Sequence, residues 1–194
     1  LATLDSRAPL VLDTHELGRR PGAEREVVLD APAPADLGVD MLRVPEGDPI
    51  ALTLRLESVM EGVLVTGTAS VDLVGECVRC LTALTDSFTA DIQELYLYDD
   101  ADPDEDEETS RMEGELLDLE PAVRDAIVLS LPQNPLCTPD CQGLCPVCGF
   151  RLADDPSHSH EAALDPRWAA LRDLDVGDDS ASTQGDTPEE KESS

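Results

Sequence analysis

The chain has 194 residues, enough for one well-cored domain or two small ones. It carries 43 acidic against 13 basic side chains, a formal net charge of -30. Nucleic-acid affinity comes largely from Lys and Arg displacing counterions, so a stand-alone, high-affinity DNA or RNA binder is all but excluded and a basic protein partner is favoured.

Residues 1–25 read as a polar, turn-rich extended segment, interrupted at Arg19-Arg20-Pro21-Gly22. His15 within it reads as an ordinary exposed histidine. Glu26–Asp30 is predicted as a short strand. Ile50, Leu52, Leu54 and Leu56 then alternate with Ala51, Thr53, Arg55 and Glu57, the period-2 pattern of a half-buried strand. After a turn at Met60-Glu61-Gly62, Val63, Val65, Gly67, Ala69, Val71 and Leu73 mark one face of a second strand. The pair reads as antiparallel neighbours. Gly67 and Gly75 would permit a bulge. A further strand is predicted over Phe88–Tyr98, so that Cys77-Val78-Arg79-Cys80 falls at a hairpin tip. Asp99–Glu108 holds eight acids in ten positions, and residues 99–113 are predicted as a solvated acidic linker. Gly114–Leu117 is a weak strand. Asp118 is placed to cap a helix from about Leu119 to Leu131, with Pro121 in its first turn and Val123, Ala126, Ile127 and Ser130 on one face. A cysteine-rich segment runs to His160, and a short helix is expected over Asp165–Leu174. The acidic stretch 175–194 is expected to be disordered.

The expected fold class is α+β: a curved antiparallel sheet over 26–98, a packed helix, and a C-terminal zinc-knuckle segment within 114–174. With aromatics at only 3%, its core must be aliphatic. No apolar run approaches the ~18 residues that span a bilayer. Leu1–Asp13 lacks the charged-then-apolar order of a signal peptide. The chain is therefore expected to be cytoplasmic, with its six cysteines as reduced thiols or metal ligands.

Those cysteines fall as Cys77-x2-Cys80 and Cys137-x3-Cys141-x3-Cys145-x2-Cys148, followed after nine residues by His158-x-His160. Pairs of thiolates on tight turns suit tetrahedral zinc. Eight candidate ligands suffice for two four-coordinate ions. One partition joins Cys145, Cys148, His158 and His160 by contiguity, leaving Cys77, Cys80, Cys137 and Cys141 to meet across the fold. A rival partition has a single site from Cys77, Cys80, Cys145 and Cys148. In a third reading Cys137 and Cys141 are small buried residues. A redox dithiol lacks the strand-to-helix context of a thioredoxin motif. A catalytic zinc would need an open position and a base, for which only Glu161 is at hand. No GxGxxG, GxxxxGK[ST] or GxSxG signature is present, and no enzymatic activity is predicted.

Four pieces in order, "VRCL" at Val78–Leu81, "AIVLSLPQNPLC" at Ala126–Cys137, "DCQGLCPVCG" at Asp140–Gly149 and "DPRWAAL" at Asp165–Leu171, resemble the YceD family, the large ribosomal RNA subunit accumulation proteins. The resemblance spans roughly Glu26–Leu174. It implies a bacterial cytoplasmic protein, needed for accumulation of large-subunit rRNA, with no catalytic activity. It further implies that Cys77, Cys80, Cys137, Cys141, Cys145 and Cys148 match the thiols of a cysteine-rich branch. His158 and His160 stand where many members of that branch have C-x-C. The expected partners are a basic large-subunit ribosomal protein or a precursor particle. Contact with rRNA would be indirect, the acidic run acting as a phosphate mimic, with local contacts from Arg79, Arg151 or Arg167. DNA and membrane are not expected partners. The alternative is a zinc- or thiol-based redox sensor.

Overall fold

The structure, a computed structural model, describes residues 4–98 and 110–160. The chain divides into two compact units, 1–156 and 157–194. The first holds every described strand and helix. Of the second, only residues 157–160 are described, and the predicted 165–174 helix and the acidic tail lie outside the described residues.

The first unit is mostly antiparallel sheet with one short helix, so the helical share of the expected α+β class is small. Its elements are β1 (Val11–Asp13), β2 (Glu24–Pro32), β3 (Gly38–Val39), β4 (Leu42–Arg43), β5 (Pro49–Ser58), β6 (Gly62–Glu76), β7 (Ala83–Leu97), β8 (Leu116–Asp118) and α1 (Glu120–Ser130). β6 is the organising strand. It pairs with β7 along its whole length, and on its other side with β5 over Val63–Ser70 and then with β4 at Val74 and Gly75. β2 extends the sheet beyond β5.

Period-2 alternation decides which side chains enter the core. Ile50, Leu52, Leu54 and Leu56 from β5 are buried, as are Val63, Val65, Ala69, Val71 and Leu73 from β6. Ala90, Ile92 and Tyr96 of β7 complete that face, and Val123 and Ile127 of α1 belong to the same core cluster. The predicted helical face is narrower in fact, because Ser130 is exposed and Ala126 only half-buried. Tyr96 donates its hydroxyl to the carbonyl of Asp118, 2.9 Å away, tying β7 to the start of α1. Burial of this phenol pushes its pKa up.

Three local expectations are corrected. The strands flanking Cys77 and Cys80 pair without interruption, so Gly67 makes no bulge. Its φ of +155° and its closeness to Thr53 explain it instead, since a Cβ there would lie 2.1 Å from the Thr53 carbonyl oxygen. Asp118 is not the helix N-cap, which is Leu119. Asp118 still accepts a hydrogen bond at 2.9 Å from the Glu120 amide, satisfying one of the first-turn donors from one position earlier. Finally, the N-terminal segment is partly ordered into sheet: Val11–Asp13 pairs with Leu116–Asp118.

Candidate metal centres

The β6–β7 hairpin ends in the loop Cys77–Thr82, placing the first CxxC at its tip. Two backbone bonds close this loop, Leu81 N–H to the Cys77 carbonyl and Cys77 N–H to the Thr82 carbonyl, both at 2.9 Å. The second CxxC repeats the pattern. Gly149 N–H donates to the Cys145 carbonyl at 2.9 Å, and Cys145 N–H to the Phe150 carbonyl at 2.7 Å. The residue after each second cysteine has positive φ, +57° at Leu81 and +72° at Gly149. These are two copies of one knuckle, a turn that brings paired sulfurs to a common point.

Glycine takes positive φ without penalty, but leucine does not, and the αL conformation costs an ordinary L-residue about 1–2 kcal/mol. Leu81 is 54% exposed, so packing does not compensate. We expect Leu81→Gly to leave stability level or raise it by up to about 1 kcal/mol, and Leu81→Val to lower it by at least about 1 kcal/mol. Urea unfolding of the two variants measures this, and equal destabilisation by both would contradict the strain account.

The thiols that meet Cys77 and Cys80 come from 64 and 57 residues further along the chain, respectively. After α1, Pro135 accepts the Val78 amide at 3.0 Å, and the Arg79 guanidinium donates to the Cys141 carbonyl at 2.9 Å. These bonds lay the segment 135–141 against the hairpin tip. Cys77 Sγ stands 3.7 Å from Cys141 Sγ, and Cys80 Sγ 3.5 Å from Cys137 Sγ. All four sulfurs lie within 4.8 Å of one another. With Zn–S bonds of about 2.3 Å, the edge of a tetrahedral four-thiolate site is roughly 3.8 Å. The spacing fits a single tetrahedral ion, and all six cysteines of the chain are thiols rather than disulfides.

The surroundings suit charged sulfur held away from water. Cys77, Cys80 and Cys141 are buried, with Leu84, Leu136 and Leu144 packed around them. Burial raises the Cys77 thiol, but backbone N–H groups of Cys137, Cys80 and Arg79 outweigh it and bring it down to about 6. Thr82 Oγ1, 3.0 Å from Cys80 Sγ, lowers that thiol too. Burial instead pushes Cys141 up to about 12. Cys141 therefore holds its proton at neutral pH until a metal displaces it, and metal uptake releases that proton. The sign follows: acid weakens binding. We expect apparent metal affinity to fall at least about tenfold between pH 7 and pH 6, read by competition with a chromophoric chelator. Affinity independent of pH would mean the thiols are not the ligands.

The other predicted ligands are built locally within each unit. In the first, the Cys145–Gly149 knuckle places Cys145 buried and Cys148 exposed. In the second, the rings of His158 and His160 meet edge to face, with their Nε2 atoms 3.0 Å apart. Two imidazoles presenting the same nitrogen to one point suit a shared metal ion. Sequence reading passed over the supports of the first cluster, namely Thr82 against Cys80 and the Arg79 clamp on Cys141. A hydroxyl two residues beyond a CxxC was the available signal for Thr82.

This is an antiparallel β-sheet scaffold with one cysteine knuckle at the β6–β7 hairpin tip and a second at Cys145–Gly149, the class of a small sheet protein carrying a four-cysteine cluster of metal-binding geometry. The chain belongs to the YceD family, described as large ribosomal RNA subunit accumulation protein, whose sequence profile matches residues 65–175. An uncharacterized protein of Mycobacterium tuberculosis strain H37Rv is 43% identical over 92% of this chain and 87% of its own length. An uncharacterized protein of Mycobacterium leprae is 40% identical over 86% of this chain and 78% of its own. An uncharacterized Bacillus subtilis protein, YlbN, is 26% identical over 74% and 82%. No solved structure matches the chain. Among the described residues, no helix is long and apolar enough to cross a membrane.

Proposed function

We propose that this protein is a non-enzymatic, cytoplasmic assembly factor that supports accumulation of large-subunit rRNA by holding a basic ribosomal protein or a precursor particle. The observation that carries the reading is the family match, which runs from β6 through both knuckles. The charge of -30 directs the contact to protein rather than to bare RNA. Zinc serves as a staple. One ion takes Cys77, Cys80, Cys137 and Cys141, and a second takes Cys145, Cys148, His158 and His160, a set supported by contiguity in sequence and by the donor chemistry of each pair. Metal binding energy thereby becomes folding energy for the segment after α1.

Depletion of the protein in its host tests the function. The expected result is a fall in large-subunit rRNA relative to small-subunit rRNA, while an unchanged ratio would oppose it. A thiol-based sensor, the alternative reading, needs thiolates that solvent can reach. Three of the four sulfurs in the first cluster are buried. A metal load unchanged by peroxide treatment leaves the sensor without support.

A further inference from the structure

Among the described residues β7 is an edge strand, with its open side along Asp91–Leu95. Among the described residues it pairs along its length only with β6. On its other side, Leu97 N–H donates to the Ser110 carbonyl and the Leu97 carbonyl accepts the Met112 amide, both at 2.9 Å. Backbone groups of an antiparallel strand point alternately to either side. Leu97 directs both of its groups outward, so Leu95, Gln93 and Asp91 do the same, and no described backbone group meets theirs. Such an edge is a template for an added strand.

A groove runs beside this edge, between β7 and α1. Its apolar lining is Ile92, Ala122, Ala126 and Leu129, the last 83% exposed. Its charged lining is Asp91, Glu94 and Asp125, with no base among them. Arg124, the one basic residue of α1, is engaged elsewhere, donating to the carbonyls of Ala35 and Asp36 and to Glu120.

We propose that this edge and groove receive an extended, lysine- or arginine-rich segment of a partner protein, added to β7 as a further strand. Apolar side chains on one face of that segment settle against Ala122 and Ala126, cations on its opposite face meet Asp91, and a cation at the rim of the groove meets the exposed Asp125. A second copy of this chain is a poor occupant, since both would carry -30. The inference rests on the reading of a basic ribosomal partner and specifies where on the fold that partner is held.

The test uses the full chain and two fluorescein-labelled ten-residue probes. One alternates Lys with Val, and the other carries backbone N-methyl groups on its central residues, removing the N–H groups a strand must donate whichever side they face. The first is expected to bind at least about tenfold more tightly, and to slow hydrogen exchange at the Gln93 and Leu95 amides about tenfold. Ala126→Lys and the exposed alternative Asp125→Arg should each weaken binding several-fold, while deletion of residues 99–109 should not. Equal binding of both probes, no binding, or unprotected amides at Gln93 and Leu95 overturns the proposal. So does binding that survives both substitutions and is lost with residues 99–109. That last outcome moves the contact to the acidic run and leaves the ribosomal reading intact. Edge-specific binding by a protein absent from large-subunit particles would instead sink the ribosomal reading and keep the edge.

Discussion

Replacement of Cys137 by serine is expected to cost one zinc per chain and the order of the segment from Pro135 to Cys141. Cys137 Sγ faces Cys80 Sγ at 3.5 Å, on a stretch of chain that the Val78–Pro135 and Arg79–Cys141 hydrogen bonds, the Cys77–Cys141 sulfur contact and Leu136 also hold to the hairpin. Structural zinc contributes about 10–16 kcal/mol in small isolated domains, so loss of one ligand here should cost at least about 5 kcal/mol. The sheet has its own aliphatic core and should survive. The expected signature is therefore split: limited proteolysis gains a cut between α1 and Cys141, while the strand signal in circular dichroism persists. Unchanged metal content in Cys137→Ser would remove Cys137 from the ligand set.

Gly67→Val is expected to be among the most damaging single changes outside the thiols. Gly67 lies opposite Leu54 on one side and Ile92 on the other, at the middle of the sheet. The new Cβ would stand 2.1 Å from the Thr53 carbonyl oxygen and 2.8 Å from the Leu54 Cα, both fixed backbone atoms. The φ of +155° is also a region in which valine is strained. Overpacking and backbone strain together should lower stability by about 4 kcal/mol or more, as a drop in urea midpoint at unchanged slope. Gly149→Ala is the control, because nothing lies within 4 Å of its Cβ. It should cost only the positive-φ penalty, about 1–2 kcal/mol.

The parts of the fold legible in the sequence are those where one local rule suffices. Ile50–Leu56 and Val63–Leu73 declare their faces because every second residue is aliphatic and the other face is polar. The CxxC tip follows from the predicted strands Val63–Leu73 and Phe88–Tyr98 on either side of it, although both strands run further and leave only six residues between them. The misses are of a different kind. β3 and β4 have two residues each, too few to show any period. β1 pairs with a strand more than a hundred residues away, and Val11-Leu12-Asp13 carries no mark of that partner. Gly67 reads as a bulge until the Thr53 carbonyl is placed. At the first metal cluster the donor residues are legible from their spacing. Thr82 beside Cys80 is a local feature that the CxxC spacing alone does not flag, whereas Arg79, which clamps Cys141, becomes visible only when the chain after α1 returns to the hairpin.

Sedimentation of the tagged protein from a cell lysate, through sucrose gradients at low and at raised salt, tests the central claim most directly. The account predicts co-migration with immature large-subunit particles at low salt, weakened as salt screens an acidic surface from a basic partner. Migration only as free protein at both salt concentrations would contradict it.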